Sequence, residues 1–275
     1  MRIPWRPISA KQKQFWEDNG YLVLSRFFSP EEILPVNKVI ERIHEDPKTL
    51  GNATVDVLHG AHQGKRLRGV DVPIEAFAGP IKINDLFLQE AAVQRLALNK
   101  RLSDILSKLL DGPPLLCNSL NFIWGSQQVD HFDTWFMPPP IENKMAVSSI
   151  CLEDVRPDAG PLAYYPGSHK IPPYRFSHGG IHMVPEELAA CRSYVEDQLR
   201  HMNAERHVYL GKAGDVFLWH GQLLHGGSPI EDLTRTRKTL VTHYWRAQDV
   251  EPERVATVYG HGRYLKRELH AVAQE

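Results

Sequence analysis

Apolar residues recur at helical spacing along the first third of the chain and at strand spacing beyond it. SAKQKQFWEDNG, residues 9–20, ends on Gly20, a residue suited to the left-handed cap of a helix C-terminus. SPEEILPVNKVIERIHED, residues 29–46, opens with Ser29, places Pro30 at the first helical position and Glu32 three after the cap, which is a capping-box pattern. A Leu-, Ala-, Lys- and Arg-rich segment from about Asn84 to Leu110 carries helical periodicity and stops at Asp111-Gly112-Pro113-Pro114. The first third therefore reads as mostly helical.

After Pro114 the texture changes. LLCNSLNFIWG, HFDTWFM, KMAVSSICLED, PLAYYPG, RHVYLG, DVFLWHGQLLHGG and KTLVTHYWR are short, rich in aromatic or β-branched residues, and punctuated by Gly, Pro and Asp. One helical stretch, VPEELAACRSYVEDQLRHMNA, interrupts them. The expectation is a single domain over 1–275, mainly β with flanking helices: a helical part about 1–112 packed outside a sandwich or barrel about 113–247. Jelly rolls are one such architecture, and their mouths commonly hold small ligands or metals.

Composition narrows the function classes. A formal charge of −1 over 275 residues gives no support to nucleic acid or another polyanion as partner. The start, MRIPWRPISAKQKQFW, lacks the apolar stretch of an export leader, and no apolar run approaches membrane-spanning length. Cys117, Cys151 and Cys191 are widely spaced, which suggests neither a disulfide framework nor a zinc-thiolate site. A cytoplasmic location is expected.

The candidate chemistry starts at VDHFDTWF, residues 129–136. With 14 histidines, about one H-x-D triplet is expected by chance in a chain of this size, and a second one does occur at His44 to Asp46. On a strand, His131 and Asp133 project to one face while Phe132 points away. His44 and Asp46 sit instead at the end of a helix before Pro47, where their side chains diverge by about 200°. A non-haem iron site needs a second histidine beside the His/Asp pair. GDVFLWHGQLLHGG offers His220 and His225, whose odd spacing puts them on opposite faces of a continuous strand. His225 precedes a Gly-Gly break at a strand end; His220, between Trp219 and Gly221, fits a hydrogen-bonded core histidine equally well. In RTRKTLVTHYW, alternation gives Arg237, Thr239, Val241 and His243 one face. An inward arginine is costly without an anion, and its planar fork suits a carboxylate. The plainer alternative is an arginine exposed at the rim beside Arg235 and Lys238.

These pieces, in this order, resemble the phytanoyl-CoA dioxygenase family of Fe(II)- and 2-oxoglutarate-dependent oxygenases. Four stretches within residues 118–245 carry the resemblance: HFD, DAGPLAYYPGSHK, GDVFLWHGQLLHGG and RKTLVTHYW. It implies a double-stranded β-helix core of the cupin-like jelly-roll kind. It also makes His131, Asp133 and His225 the iron ligands and Arg237 the partner of the 2-oxoglutarate C5 carboxylate. Asn118 is the best candidate for a further cosubstrate contact, with Asn121 and Ser149 behind it. Phe132 departs from the polar middle residue of phytanoyl-CoA hydroxylases, the interval from His225 to Arg237 exceeds the family pattern and keeps Arg235 as a reserve, and MPPPIEN is an individual loop near the mouth.

The implied activity uses Fe(II), 2-oxoglutarate and O2 to hydroxylate or desaturate a C–H bond of a small organic metabolite, releasing succinate and CO2. No catalytic group beyond the metal ligands is expected. Asp133 stands where related halogenases carry a small residue, so halogenation is not expected. Trp135, Phe136, Tyr164 and Trp219 are candidates for the pocket wall. Two rivals remain at this stage: a cupin-like metalloenzyme that does not use 2-oxoglutarate, against which Arg237 speaks, and a non-catalytic jelly-roll binding protein, against which the complete triad speaks.

Overall fold

A computed structural model describes residues 8–267; residues 1–7, part of the segment read above for an export leader, and 268–275 lie outside them. The N-terminal helix α1 spans Ala10–Asn19, and the Ser9 hydroxyl accepts the Gln12 backbone N–H at its start. Gly20 ends it at φ +76°, and a Cβ there would lie 2.4 Å from the His169 ring, so both conformation and space require glycine. Strand β1 (Tyr21–Leu24) follows, then α2 (Pro30–Glu45), whose Glu32 carboxylate accepts the Ser29 N–H at 2.9 Å as the capping pattern expects.

The next stretch corrects the sequence reading. Between α2 and residue 85 the chain forms three strands, β2 (Thr54–Val57), β3 (Arg66–Arg68) and β4 (Ile81–Asn84). The helical run expected from Asn84 to Leu110 begins only at Ala91, and is two helices, α3 (Ala91–Ala97) and α4 (Lys100–Leu110). Asn99 separates them, because its side-chain oxygen accepts the N–H groups of Arg101 and Leu102 and starts a new helix.

The remaining elements are β5 (Pro114–Phe122), β6 (Met145–Cys151), β7 (Leu162–Tyr164), α5 (Leu188–His201), β8 (His207–Tyr209), β9 (Val216–His220), β10 (His225–Gly227), β11 (Thr239–Arg246), β12 (Val255–Val258) and β13 (Gly262–Leu265). They form the expected jelly-roll core of two sheets. The large sheet runs β1-β9-β6-β11-β5-β4-β2-β3, with β13 beside β5 and β12 beside β13; the small sheet runs β10-β7-β8. Four strands of the large sheet thus come from the supposedly helical part, and the sheet is continuous between the two parts.

Alternation gives the large sheet two unlike faces. Leu22, Leu24, Val55, Ile83, Ile150, Leu218 and Leu240 are buried against the helices in one apolar core. Phe122, Val147, Phe217, Trp219 and Val241 face the small sheet and form a second, smaller core with Tyr164. Sealing one face with helices leaves the other to be shaped for a ligand.

Candidate active site

Between the sheets lies a cavity whose lining includes His131, Asp133, His225, Ser149 and Arg237. His131 and Asp133 reach it by a route that corrects the expected simple strand. His131 exchanges both backbone bonds with His225, at 2.8 and 3.1 Å, and the chain then tightens into a 3-10 turn at Asp133–Trp135. Phe132 points away and is buried with Trp135, Phe176 and Leu224, anchoring the turn. The bridge therefore sets the two histidines side by side, with ring centroids 4.5 Å apart.

One donor atom from each of His131, Asp133 and His225 lies within 4.8 Å of the others. The imidazole orientation is fixed from behind. Nδ1 of His131 lies 2.8 Å from the Val129 carbonyl and Nδ1 of His225 lies 2.9 Å from the Leu223 carbonyl. A carbonyl only accepts, so each Nδ1 carries the proton and each Nε2 presents its lone pair. Those Nε2 atoms stand 3.9 and 3.7 Å from Asp133 Oδ1. Burial pushes His131 down to about 4, with the neighbouring His225 adding to the effect, so the ring is neutral and ready to ligate at neutral pH.

Asp133 is held by two residues that the sequence reading did not single out for this role. Trp219 donates its indole N–H to Oδ2 at 2.7 Å, and His243 Nε2 lies 3.4 Å from Oδ1. Burial alone would raise this carboxyl; electrostatic interaction with the neighbouring His225 and the His243 hydrogen bond outweigh it and hold Asp133 well below the usual carboxylate range. The available signal was the alternation of β11, which put His243 on the face of Arg237.

His220 goes elsewhere. Strand β9 ends on it, the chain turns, and β10 begins in the other sheet at His225. His220 Nδ1 accepts the Gln222 N–H at 3.1 Å, leaving Nε2 to donate to the Asn143 carbonyl at 3.3 Å. It is a satisfied core histidine. The turn between the two is braced by Ser168 of the PGSHK stretch, whose hydroxyl accepts the Leu224 N–H at 2.8 Å.

Arg237 is buried, with 6% of its surface exposed, and its guanidinium lies over the Phe122 ring at 5.8 Å. It forms no ion pair among the described residues, and its Nε has no hydrogen-bond partner. Burial pushes its pKa down to about 10, because nothing nearby fully compensates the charge. A neutral-ready His/Asp/His donor set and an orphaned buried guanidinium in one cavity fit iron and a dicarboxylate cosubstrate respectively.

The model of the family described as phytanoyl-CoA dioxygenase (PhyH) matches residues 16–234. The chain belongs to that family. An ectoine dioxygenase of Sphingopyxis alaskensis is 28% identical over 81% of this chain and 71% of its own length. Among solved structures, the non-heme alpha ketoglutarate dependent carbocyclase SnoK of nogalamycin biosynthesis superposes with a TM-score of 0.67 at 19% identity, covering 95% of each chain. EctD from S. alaskensis with 2-oxoglutarate and 5-hydroxyectoine superposes at 0.62 and 22% identity, over 90% of this chain and 80% of its own. This member of the phytanoyl-CoA dioxygenase family is thus an Fe(II)- and 2-oxoglutarate-dependent dioxygenase.

The remaining expected site residues divide. Ser149 lines the cavity, whereas Asn118 directs its amide N–H to Asp85 at 2.9 Å and is not among the lining residues. Asn121 is buried on the helix side, beside Ile83 and Leu240 in the pairing. Arg235 is half-exposed and paired with Asp232 at 3.3 Å. Of the four aromatic candidates only Trp219 lines the cavity; Trp135 and Tyr164 are core, and Phe136 is exposed against the edge of His131. His44 is exposed, and Asp46 accepts the Lys48 N–H at 3.1 Å as the cap of a 3-10 turn.

Proposed function

We propose that His131, Asp133 and His225 hold one Fe(II), that Arg237 holds the C5 carboxylate of 2-oxoglutarate, and that the chain, as one domain, hydroxylates or desaturates a small metabolite. The observation that carries this reading is the pairing, in one cavity, of three converging donors with a buried guanidinium that lacks an anion. When bound, Fe(II) with 2-oxoglutarate and O2 would supply oxidative decarboxylation to succinate and CO2, one oxygen atom entering succinate and the other serving the oxidation of the substrate C–H bond.

The chain's own residues supply orientation and exclusion of water. The Val129 and Leu223 carbonyls hold the imidazoles in the ligating tautomer, and Trp219 and His243 hold the carboxylate in one pose. Phe122, Leu120 and Val241 make part of the cavity wall apolar, and Arg237 is itself buried over Phe122, so the Arg237 charge acts in a low dielectric. Cytoplasmic location belongs to the same proposal, supported by three free, buried cysteines.

Metal analysis after dialysis tests the ligand assignment. His131→Ala, Asp133→Ala and His225→Ala should each lose tight iron binding, since each removes about a third of the protein's donors. His220→Ala should retain most of it. Iron kept in the His225 variant and lost in the His220 variant would contradict the assignment.

A further inference from the structure

The large sheet continues past the cavity through β4, β2 and β3, and its register shows which side chains share the cavity face. Directly opposed residues on antiparallel strands project to the same side. One such row reads Thr239, Phe122, Lys82, Asp56, Arg66, and the next reads Val241, Leu120, Asn84, Thr54, Arg68. Phe122, Leu120 and Val241 line the cavity, so Lys82, Asp56 and Arg66 extend that same face, beginning one strand spacing, about 5 Å, beyond its wall. The alternate residues Val55, Val57, Ile81 and Ile83 are fully buried on the helix side. This part of the sheet is apolar behind and ionic in front.

The charges on that row do not balance. Asp56 receives two parallel bonds from Arg66, at 2.5 and 2.8 Å, the Lys82 ammonium at 2.9 Å and the Asn84 amide at 3.1 Å. Four donors occupy the acceptor capacity of one carboxylate. Both cations are bonded to Asp56, and the other carboxylate whose charge reaches Arg66, Asp85, is itself ion-paired with Arg267 at 3.3 Å, so among the described residues one positive charge is left over. Lys82 cannot simply extend into water, since its side chain is only 17% exposed. The surplus is local, because the chain as a whole carries a formal charge of −1.

We propose that the β4-β2-β3 row is the substrate platform of this enzyme, and that Lys82 and Arg66 receive an anionic head group, carboxylate or phosphoryl, of a small organic substrate. The bond to be oxidised then lies over the adjoining cavity. The proposal rests on the iron and 2-oxoglutarate reading, in which Arg237 is already taken by the cosubstrate, so this anion is a second one. Asp56 preorganises the two cations and competes with the ligand for them.

The test uses the full chain loaded with Mn(II) in place of Fe(II), saturated with 2-oxoglutarate, and inorganic phosphate as the head-group probe. Mn(II) and 2-oxoglutarate binding are first verified separately, and phosphate is then followed by paramagnetic broadening of its 31P resonance. The expected result is saturable broadening in the wild type, weakened about tenfold in Lys82→Met and in Arg66→Gln. Asp56→Asn removes the competing charge and should tighten phosphate binding several-fold, a gain that a purely structural role for the cluster would not give. Broadening that is absent, or unchanged in both cation variants, would mean an adventitious ion only and overturn the platform. Weaker phosphate binding in Asp56→Asn would overturn it too, as would a Lys82→Met variant that loses 2-oxoglutarate but keeps phosphate. Failure of Mn(II) or 2-oxoglutarate to bind at all would instead overturn the reading on which the platform rests.

Discussion

Arg237 and Arg66 belong to the same sheet and differ in what they meet. Arg66 forms two parallel bonds with Asp56, and that carboxylate lifts its pKa above the ordinary arginine value. Arg237 is more deeply buried, meets no carboxylate among the described residues, and has its pKa lowered to about 10 by that burial. The contrast separates two uses of a buried cation. Paired within the chain, it contributes to the fold and, as with Arg66 and Lys82, offers a ligand only the charge its shared carboxylate leaves over; buried without a partner, it costs stability and is explained by a ligand that brings the missing charge.

Stability measurements on the ligand-free protein sharpen this contrast. The largest effect is expected from Asp56→Ala, which leaves Lys82 and Arg66 facing each other without their carboxylate. Denaturant unfolding should show a loss of about 2–3 kcal/mol, below the value for a fully buried pair because the Arg66 side chain is 38% exposed. Arg237→Met should go the other way, leaving stability unchanged or raising it by up to about 2 kcal/mol, since an uncompensated buried charge is replaced by an apolar side chain of similar length. A loss of stability in Arg237→Met as large as that in Asp56→Ala would erase the distinction. The smallest effect is expected at the other H-x-D triplet. Alanine at both His44 and Asp46 should leave iron content and turnover near wild type, with at most about 1 kcal/mol lost from the Asp46 cap.

How much of this was legible in the sequence follows from the range of the interactions involved. Helices α1 and α2 could be read because their caps are local, Ser9 and Gly20 for one, Ser29 and Pro30 for the other. The jelly-roll core and the shared face of His131 and Asp133 could be read from alternation along short strands, whereas the choice of His225 over His220 and the inward Arg237 came only with the family resemblance. Strands β2, β3 and β4 were missed because they have four, three and four residues and carry charges inward. Asp56, Lys82 and Arg66 are tolerable there only through each other, across three successive strands, and no window of one strand shows that. The split at Asn99 was hidden within an apolar period that continues across it. The bond of Asn118 to Asp85 was hidden for a similar reason: its face was inferable, whereas Asp85 comes from a segment read as helix. The grip of Trp219 and His243 on Asp133 likewise depends on sheet order, which brings β9 and β11 behind a turn 86 and 110 residues earlier.

The central claim, that the cavity binds 2-oxoglutarate through Arg237 beside the His131/Asp133/His225 iron, is tested most directly by anaerobic calorimetric titration of 2-oxoglutarate into Fe(II)-loaded protein. Wild type should bind. Arg237→Ala should weaken binding roughly 30- to several-thousand-fold, the range for removing one member of a desolvated charge pair. Arg237→Lys should recover only part of that, because an ammonium keeps the charge without the fork. Arg235→Ala, a change at an exposed residue paired with Asp232, should stay within a few-fold of wild type, and iron content should be the same in all four proteins. No binding by wild type, or a loss carried by Arg235 in place of Arg237, would contradict the account.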